Sequence, residues 1–425
     1  MLFIRARRKL CQILTVTVAA VACGAVVSSP AAHAGDGYFT GTDLALEAGA
    51  PAKGTRNRIL GWATPWNNGR HVAYSTACEE DGPYHECGET GIVVASSYGA
   101  KRNWTWVSVP AEAGKPPEHG FTFYDAVAYA YDAYGLSRDR GSAMIIKDWD
   151  FHIWNLWTSE AQPTWHLVDL TALTGAPPGD GITAYVQGNA QHVIYTGLDS
   201  AVWELLYTPW SGWKARNLSA LTGTAGTGAW PAATLLGDQQ IVAYENLTDS
   251  RIHLLVNDGF GWIDRSVSDN TTAQSPYSSL LGIVAAPWSG RVAITYCDRS
   301  DHLHELSSAD GTSWKDLDLS QELNYFPADC VPPRHTSVAL EADGSERHFI
   351  WPGPSRWTGG ENNITELVRD RNGTRYRWLD RDDVDNFVCA FASQEGPRVD
   401  TVWIAYRTQA NPAHVIVEDM TVPYA

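Results

Sequence analysis

Charge is scarce in this chain. Of 425 residues only 19% are Asp, Glu, Lys or Arg, and methionine occurs three times. Hydrophobic residues reach 44%, with 19 Trp and 18 Tyr. A chain this apolar and aromatic buries a sizeable core, which excludes disorder and a coiled coil. Cations are the scarcer sign, 31 Lys and Arg against 48 Asp and Glu, for a net charge of −17. Such a surface repels phosphate backbones and anionic membranes, so nucleic acid is not an expected partner. Cysteine is limited to seven residues, with no CxxC pair and no His-rich spacing. No metal and no cofactor is therefore expected. Beyond residue 34 no apolar run approaches the length of a membrane span.

The first 34 residues read as an export signal. Arg5, Arg7, Arg8 and Lys9 precede an apolar run from Leu10 to Val27, and Ala32-His33-Ala34 supplies a small-x-small cleavage pattern. Cleavage after Ala34 is expected to leave one domain over 35–425, secreted and four units more negative than the whole. Arg7-Arg8 also fits a twin-arginine signal, and Ala20-Val21-Ala22-Cys23 a weak lipobox that would make Cys23 a lipid anchor. Plain secretion is preferred. Five cysteines then remain in an oxidising compartment. Cys78 and Cys87 bracket a polar loop that a local disulfide would pin. Cys297, Cys330 and Cys389 can supply one more bond; Cys297–Cys330 is the expected pair, leaving Cys389 as a buried thiol.

The organising feature is a repeat. An aromatic is followed five residues later by an aliphatic and five after that by Gly, as in Trp104/Val109/Gly114, Trp165/Leu170/Gly175 and Trp213/Leu218/Gly223. Trp262/Val267 and Trp314/Leu319 repeat its first half, and Phe39/Leu44/Gly49 places a further copy near the N-terminus. Upstream come a strand ending in an aromatic (Tyr74, Tyr195, Tyr244, Tyr296, Trp351, Tyr406) and one reading aliphatic-x-polar-Leu. An apolar inner strand precedes each pair, and Gly, Asp, Asn and Ser mark the turns between. The pattern predicts an all-β fold: a seven-bladed β-propeller with four antiparallel strands per blade. From Phe387 onward only three strands are visible. The copy at Tyr38–Leu46 is expected to supply the fourth, so that the N-terminal strand completes the last blade and closes the ring.

One position of the third strand is polar in four units: Asn155, Glu204, Glu305 and Glu366. It is apolar in the other three, at Val94, Leu254 and Val417. A carboxylate between packed sheets is costly unless partnered. Either neighbouring hydroxyls and backbone satisfy it, or it receives a ligand's hydroxyl groups beside an aromatic ring. The order Tyr195/Glu204/Trp213 and Tyr296/Glu305/Trp314, nine residues at each step, resembles the repeat of the fucose-binding bladed lectins of fungi and bacteria and of secreted actinomycete propellers. That resemblance implies a multivalent glycan-binding protein whose sugars sit between blades, held by a Glu, an Arg and an aromatic. The Glu carries over to Glu204, Glu305 and Glu366, and the aromatic to Trp213 and Trp314, then to Trp165 and Trp378. No Arg carries over. His192 and His348 stand where one is expected. Related propellers also serve as targeting subunits of secreted toxin particles, which adds other secreted proteins to the expected partners.

Two other functions stay open. Propellers house glycosidases, and Ser308–Trp314 resembles a sialidase Asp-box one residue short between Asp and Gly. However, no Gly-x-Ser-x-Gly elbow or Arg triplet accompanies it, so an enzyme is not expected. A protein-binding platform without sugar sites is the second. Asp380, Asp382, Asp383 and Asp385 read as a solvated acidic loop.

Overall fold

The computed structural model describes residues 41–51, 59–64, 66–76, 91–98, 103–109, 113, 121–133, 139–227, 230–267, 282–286, 291–298, 300, 302–322, 337–340, 347–353, 363–370, 373–379, 384–394, 400–408 and 415–419. From 337 on the side chains are described only at 405 and 415–417. Cys78, Cys87 and Cys330 and the side chains of Cys297 and Cys389 lie outside, as do the acidic loop and residues 1–40. Among the described residues no helix is long and apolar enough to cross a membrane.

The described strands form four-stranded antiparallel sheets, seven among these residues. They are designated I (59–108), II (121–169), III (179–217), IV (232–266), V (282–318), VI (337–379) and VII (384–419). Each of the first six is a simple meander in chain order. Sheet VII takes its outer strand from the opposite end of the chain: Gly41–Asp43 pairs antiparallel with Val415–Asp419, Gly41 opposite Glu418. First strands of successive sheets contact one another, and Val384–Gln394 of sheet VII contacts Ile59–Thr64 of sheet I.

The repeat aligns the sheets residue for residue. Glu204 lies opposite Ile194, one step from the Tyr195/Trp203 pair. Val94, Asn155, Leu254, Glu305, Glu366 and Val417 occupy the same register position in the other sheets. The aromatics that end the second strands, Tyr74, Tyr195, Tyr244 and Tyr296, are buried. Sheets packed on both faces need one large ring per strand to fill the wedge between them.

The aliphatic and Gly of the repeat do not extend the fourth strand. They open and end a single helical turn: Leu44–Ala48, Leu170–Thr174 and Leu218–Thr222. Asp43, Asp169 and Asn217 cap the first turn with side-chain oxygens, and Gly49, Gly175 and Gly223 end it at φ of 64°, 71° and 73°. Only glycine takes that left-handed conformation cheaply, which explains its fixed spacing. The chain after the turn reaches the following sheet. Tyr74 Oη donates to Pro51 O at 3.0 Å, and Tyr195 Oη to Pro177 O at 2.9 Å. The Gly-Ala-Pro match between 49–51 and 175–177 thus marks one tether used twice.

Candidate functional site

Strand alternation decides which side chains meet. Glu204, cross-strand from Ile194, faces sheet IV, where Ile194 packs with Ala233, Val242 and Tyr244. Trp213 sits on the other face with Val193 and Leu205, against Val127 and Ile145 of sheet II. Glu204 and Trp213 of one sheet therefore do not share a cleft. The aromatic on the Glu204 side is Trp262 of sheet IV. By the same register Trp213 shares its cleft with the face bearing Asn155.

Glu204 is fully buried, at 0% exposure. His192 Nδ1 lies 2.6 Å from its Oε1, and Arg216 Nη1 donates to Oε2 at 3.4 Å. Tyr185 stacks flat on His192 at 4.6 Å between centroids, and the Tyr185 hydroxyl is pushed up by desolvation and then by the Glu204 charge. The Arg216 side chain is 44% exposed, so it is the part of this group that reaches water. The sequence reading missed Arg216. It lies on the fourth strand directly opposite Glu204, and Arg377 holds the matching place opposite Glu366.

The remaining candidates are mostly interior. Glu305, Tyr195, Tyr296, Asn155 and Trp165 are buried, while Trp314 is half-buried against the core shared by sheets IV and V. Tyr296 Oη donates to Asp316 Oδ1 at 3.2 Å. Asn155 Oδ1 has no hydrogen-bond partner. The Asp-box-like turn closes on itself: Asp310 Oδ1 accepts from the N–H groups of Thr312 and Ser313, which holds its carboxyl far below the usual range.

An open cavity of about 290 Å3 lies between sheets I and II. Val94 stands there where sheet III has Glu204, and Val107 opposite it where sheet III has Arg216. Replacing that ion pair by two small apolar side chains leaves space. His71 occupies the His192 register, stacked on Trp62 at 5.0 Å. Its ring nitrogens meet Thr64 Oγ1 at 3.1 Å and Ser96 Oγ at 2.8 Å, and desolvation brings its pKa down to about 3. Trp66, Trp165, Arg140 and Tyr98 complete the wall; Tyr98 is 52% exposed, and the Arg140 guanidinium lies 5.8 Å from the Trp66 ring centroid. An apolar floor, aromatic faces and a wall rich in polar groups, among them Asn67, Ser96, Arg140, Thr158 and Glu160, suit a small polyhydroxylated ligand.

No protein-family model and no curated protein sequence matches the chain. Solved structures do. The BP39L lectin from Burkholderia pseudomallei is 13% identical with a TM-score of 0.56, covering 88% of this chain and 100% of its own. The Aleuria aurantia lectin, described as a six-bladed β-propeller with a novel fucose recognition mode, is 12% identical with a TM-score of 0.48, covering 77% and 96%. AofleA from Arthrobotrys oligospora is 12% identical with a TM-score of 0.45, covering 84% and 95%. At these identities the likeness is one of fold.

Proposed function

We propose that this chain is a secreted carbohydrate-binding β-propeller, a lectin rather than an enzyme, whose sugars lie in the clefts between adjacent sheets. The observation that carries this reading is the aromatic-lined cavity between sheets I and II, in the same inter-sheet position as the Glu204–Arg216 pair. Sugar rings offer apolar C–H faces to Trp66 and Tyr98, and hydroxyls to Arg140 and the Thr64–Asn67 turn. In the cleft between sheets III and IV, Arg216 is the group that meets hydroxyls, and Glu204 positions it. Trp165 belongs to the first cavity, and Glu305, Glu366 and Asn155, with Trp213 and Trp314, mark further clefts of the same kind. Their number makes weak single sites additive on a crowded surface glycan.

Seven blades in one ring is the arrangement proposed for the sheets, with the N-terminal strand completing the last blade. Contacts between successive first strands, the Gly41–Asp43 pairing and the Pro51 tether support it. Secretion after cleavage at Ala34 rests on the basic start, apolar run and Ala-x-Ala end of residues 1–34. The likeness to BP39L lectin supports a sugar ligand.

The test is a glycan array with the secreted protein, followed by competition with free monosaccharides. Array binding that a monosaccharide displaces, and that Tyr98→Ala weakens about 10-fold or more with the fold intact, is expected. A Tyr98→Ala protein that keeps full affinity for every bound glycan removes the cavity from the reading. Partner binding that no sugar displaces points to a protein platform instead.

A further inference from the structure

We propose that Asp298, His302 and His304 of sheet V form a binding site for one divalent transition-metal ion of the zinc type. The Asp298, His302 and His304 ligand atoms all lie within 4.8 Å of one another. Asp298 Oδ2 and His304 Nε2 are 3.5 Å apart, about the edge of a tetrahedron with bonds of roughly 2.0–2.2 Å.

The second shell is already built. His304 Nδ1 lies 3.3 Å from Asp316 Oδ1, and His302 Nδ1 lies 2.7 Å from Asp318 Oδ2. A carboxylate on Nδ1 fixes each ring and directs Nε2 to a metal. Asp298 is held just as firmly. Its Oδ1 accepts the N–H groups of Ser300 and His302 at 2.8 and 2.9 Å, which turns Oδ2 towards His304. His304 is 5% exposed, and its Nε2 is buried without a hydrogen-bond partner. A buried polar nitrogen with no hydrogen bond is costly, and the Asp298 carboxylate at 3.5 Å is its one polar neighbour among the described contacts.

Sheet II supplies the comparison within the same molecule. Asp148 Oδ1 accepts from Asp150 and His152, both at 2.9 Å, and His152 Nδ1 lies 2.7 Å from Asp169 Oδ2. These hydrogen bonds match those of Asp298 and His302, but Trp154 stands in the His304 register and donates Nε1–H to Asp148 Oδ2 at 2.8 Å. Sheet II thus satisfies its aspartate with an indole. Sheet V replaces that indole with an imidazole whose Nε2 lies 3.5 Å from the carboxylate, beyond hydrogen-bond reach. Three carboxylates around two imidazoles give an excess of negative charge, and the two nitrogen ligands select a zinc-like ion over calcium or magnesium. The one sequence signal is Asp-x3-His-x-His, where residues two apart entering a strand share a face.

The experiment uses the untagged secreted protein stripped with EDTA. Titration with Co2+ should give the visible bands of a tetrahedral ion at one equivalent, without a thiolate charge-transfer band, and Zn2+ should displace it one to one and raise the melting temperature. His304→Gln should abolish the bands. Asp316→Asn, which alters a positioning residue, should weaken Zn2+ by roughly 10- to 100-fold. His152→Gln should bind Zn2+ like the parent. No one-to-one uptake by the folded parent overturns the proposal, as does a thiolate band or a His304→Gln protein that binds Zn2+ unchanged. The parent titration decides alone if the variant fails to fold.

Discussion

Acidification from pH 7 to 4.5 should destabilise this protein through His71, by an amount the structure fixes. Thr64 Oγ1 donates its one proton to Asn67 Oδ1 at 2.5 Å. It can therefore only accept from His71 Nε2–H, and Ser96 Oγ donates to the bare Nδ1. That is a neutral imidazole held between a tryptophan face and two hydroxyls. Desolvation lowers its pKa from 6.5 to about 3. Folding thus favours the neutral form. The associated stability is complete above pH 6.5 and is lost as pH falls towards the folded value. At 1.36 kcal/mol per unit, two units below the unfolded pKa cost about 2.7 kcal/mol at pH 4.5. His152 and His253 act in the opposite sense. The hydrogen bond to Asp169 raises the first, and at His253 desolvation is outweighed by Asp264 and Asp249. Their contributions are full at low pH and fade as pH rises through their raised values. Comparing the parent with His71→Gln cancels them. Urea unfolding followed by tryptophan fluorescence should show the parent's advantage over His71→Gln shrinking by about 2–3 kcal/mol between pH 7 and 4.5. An advantage that stays constant across that range refutes the neutral, desolvated His71.

Tyr195→Phe loses only the tether to Pro177 O, at about 0.5–1.5 kcal/mol, whereas Tyr244→Phe strips a 2.7 Å hydrogen bond from the Asp264 carboxylate, at about 1.5–3 kcal/mol. Equal shifts in urea midpoint would contradict the two partners. Gly175→Ala should cost about 1–2 kcal/mol for its left-handed backbone, since a Cβ there meets nothing within 4 Å. At Gly179 a Cβ would lie 2.3 Å from Thr196 O, so Gly179→Ala should cost about 3 kcal/mol or more; a Gly179→Ala protein as stable as Gly175→Ala argues against this approach of sheet III to its own hairpin. Deleting residues 35–46 should uncover the edge of Val415–Asp419 and lower the melting temperature sharply, and a truncated protein that melts like the parent would deny the Gly41–Asp43 pairing.

The repeat was legible because each sheet uses the same register, so spacing along the chain equals position in the sheet. That placed Glu204, Glu305 and Asn155 on equivalent rungs and singled out the orphan strand before Leu44. The helical turns were not read, because a five-residue stretch such as Leu-Thr-Ala-Leu-Thr also suits a strand. Their caps, Asp169 and Gly175, carried the information. Arg216 was missed because its neighbour Glu204 is cross-strand, an offset set by hairpin length: Glu204 pairs with Arg216 but Glu366 with Arg377, one residue closer. Face was missed too. Glu204 and Trp213 share a sheet yet project to opposite sides, since an odd cross-strand offset reverses direction. The cavity at Val94 and Val107 had no local signature, because two valines in a strand read as core until the partner sheet is in place.

The pairing of Gly41–Asp43 with Val415–Asp419 has a kinetic consequence. Its partners are separated by nearly the whole described chain, so closing that loop costs about 5 kcal/mol of chain entropy before any contact repays it. Local meanders such as Gly179–Asn217 can form as soon as their four strands are available. The last sheet cannot, because its outer strand is synthesised long before its other three. Folding is therefore expected to end with a slow docking of the N-terminal segment, a step set by topology rather than by hairpin formation. Until then Val415–Asp419 presents an unpaired edge, and a second chain's 41–43 segment can occupy it as well as the chain's own. Strand-exchanged dimers should accumulate when refolding is carried out at high protein concentration, and their yield should fall on dilution while that of the monomer rises.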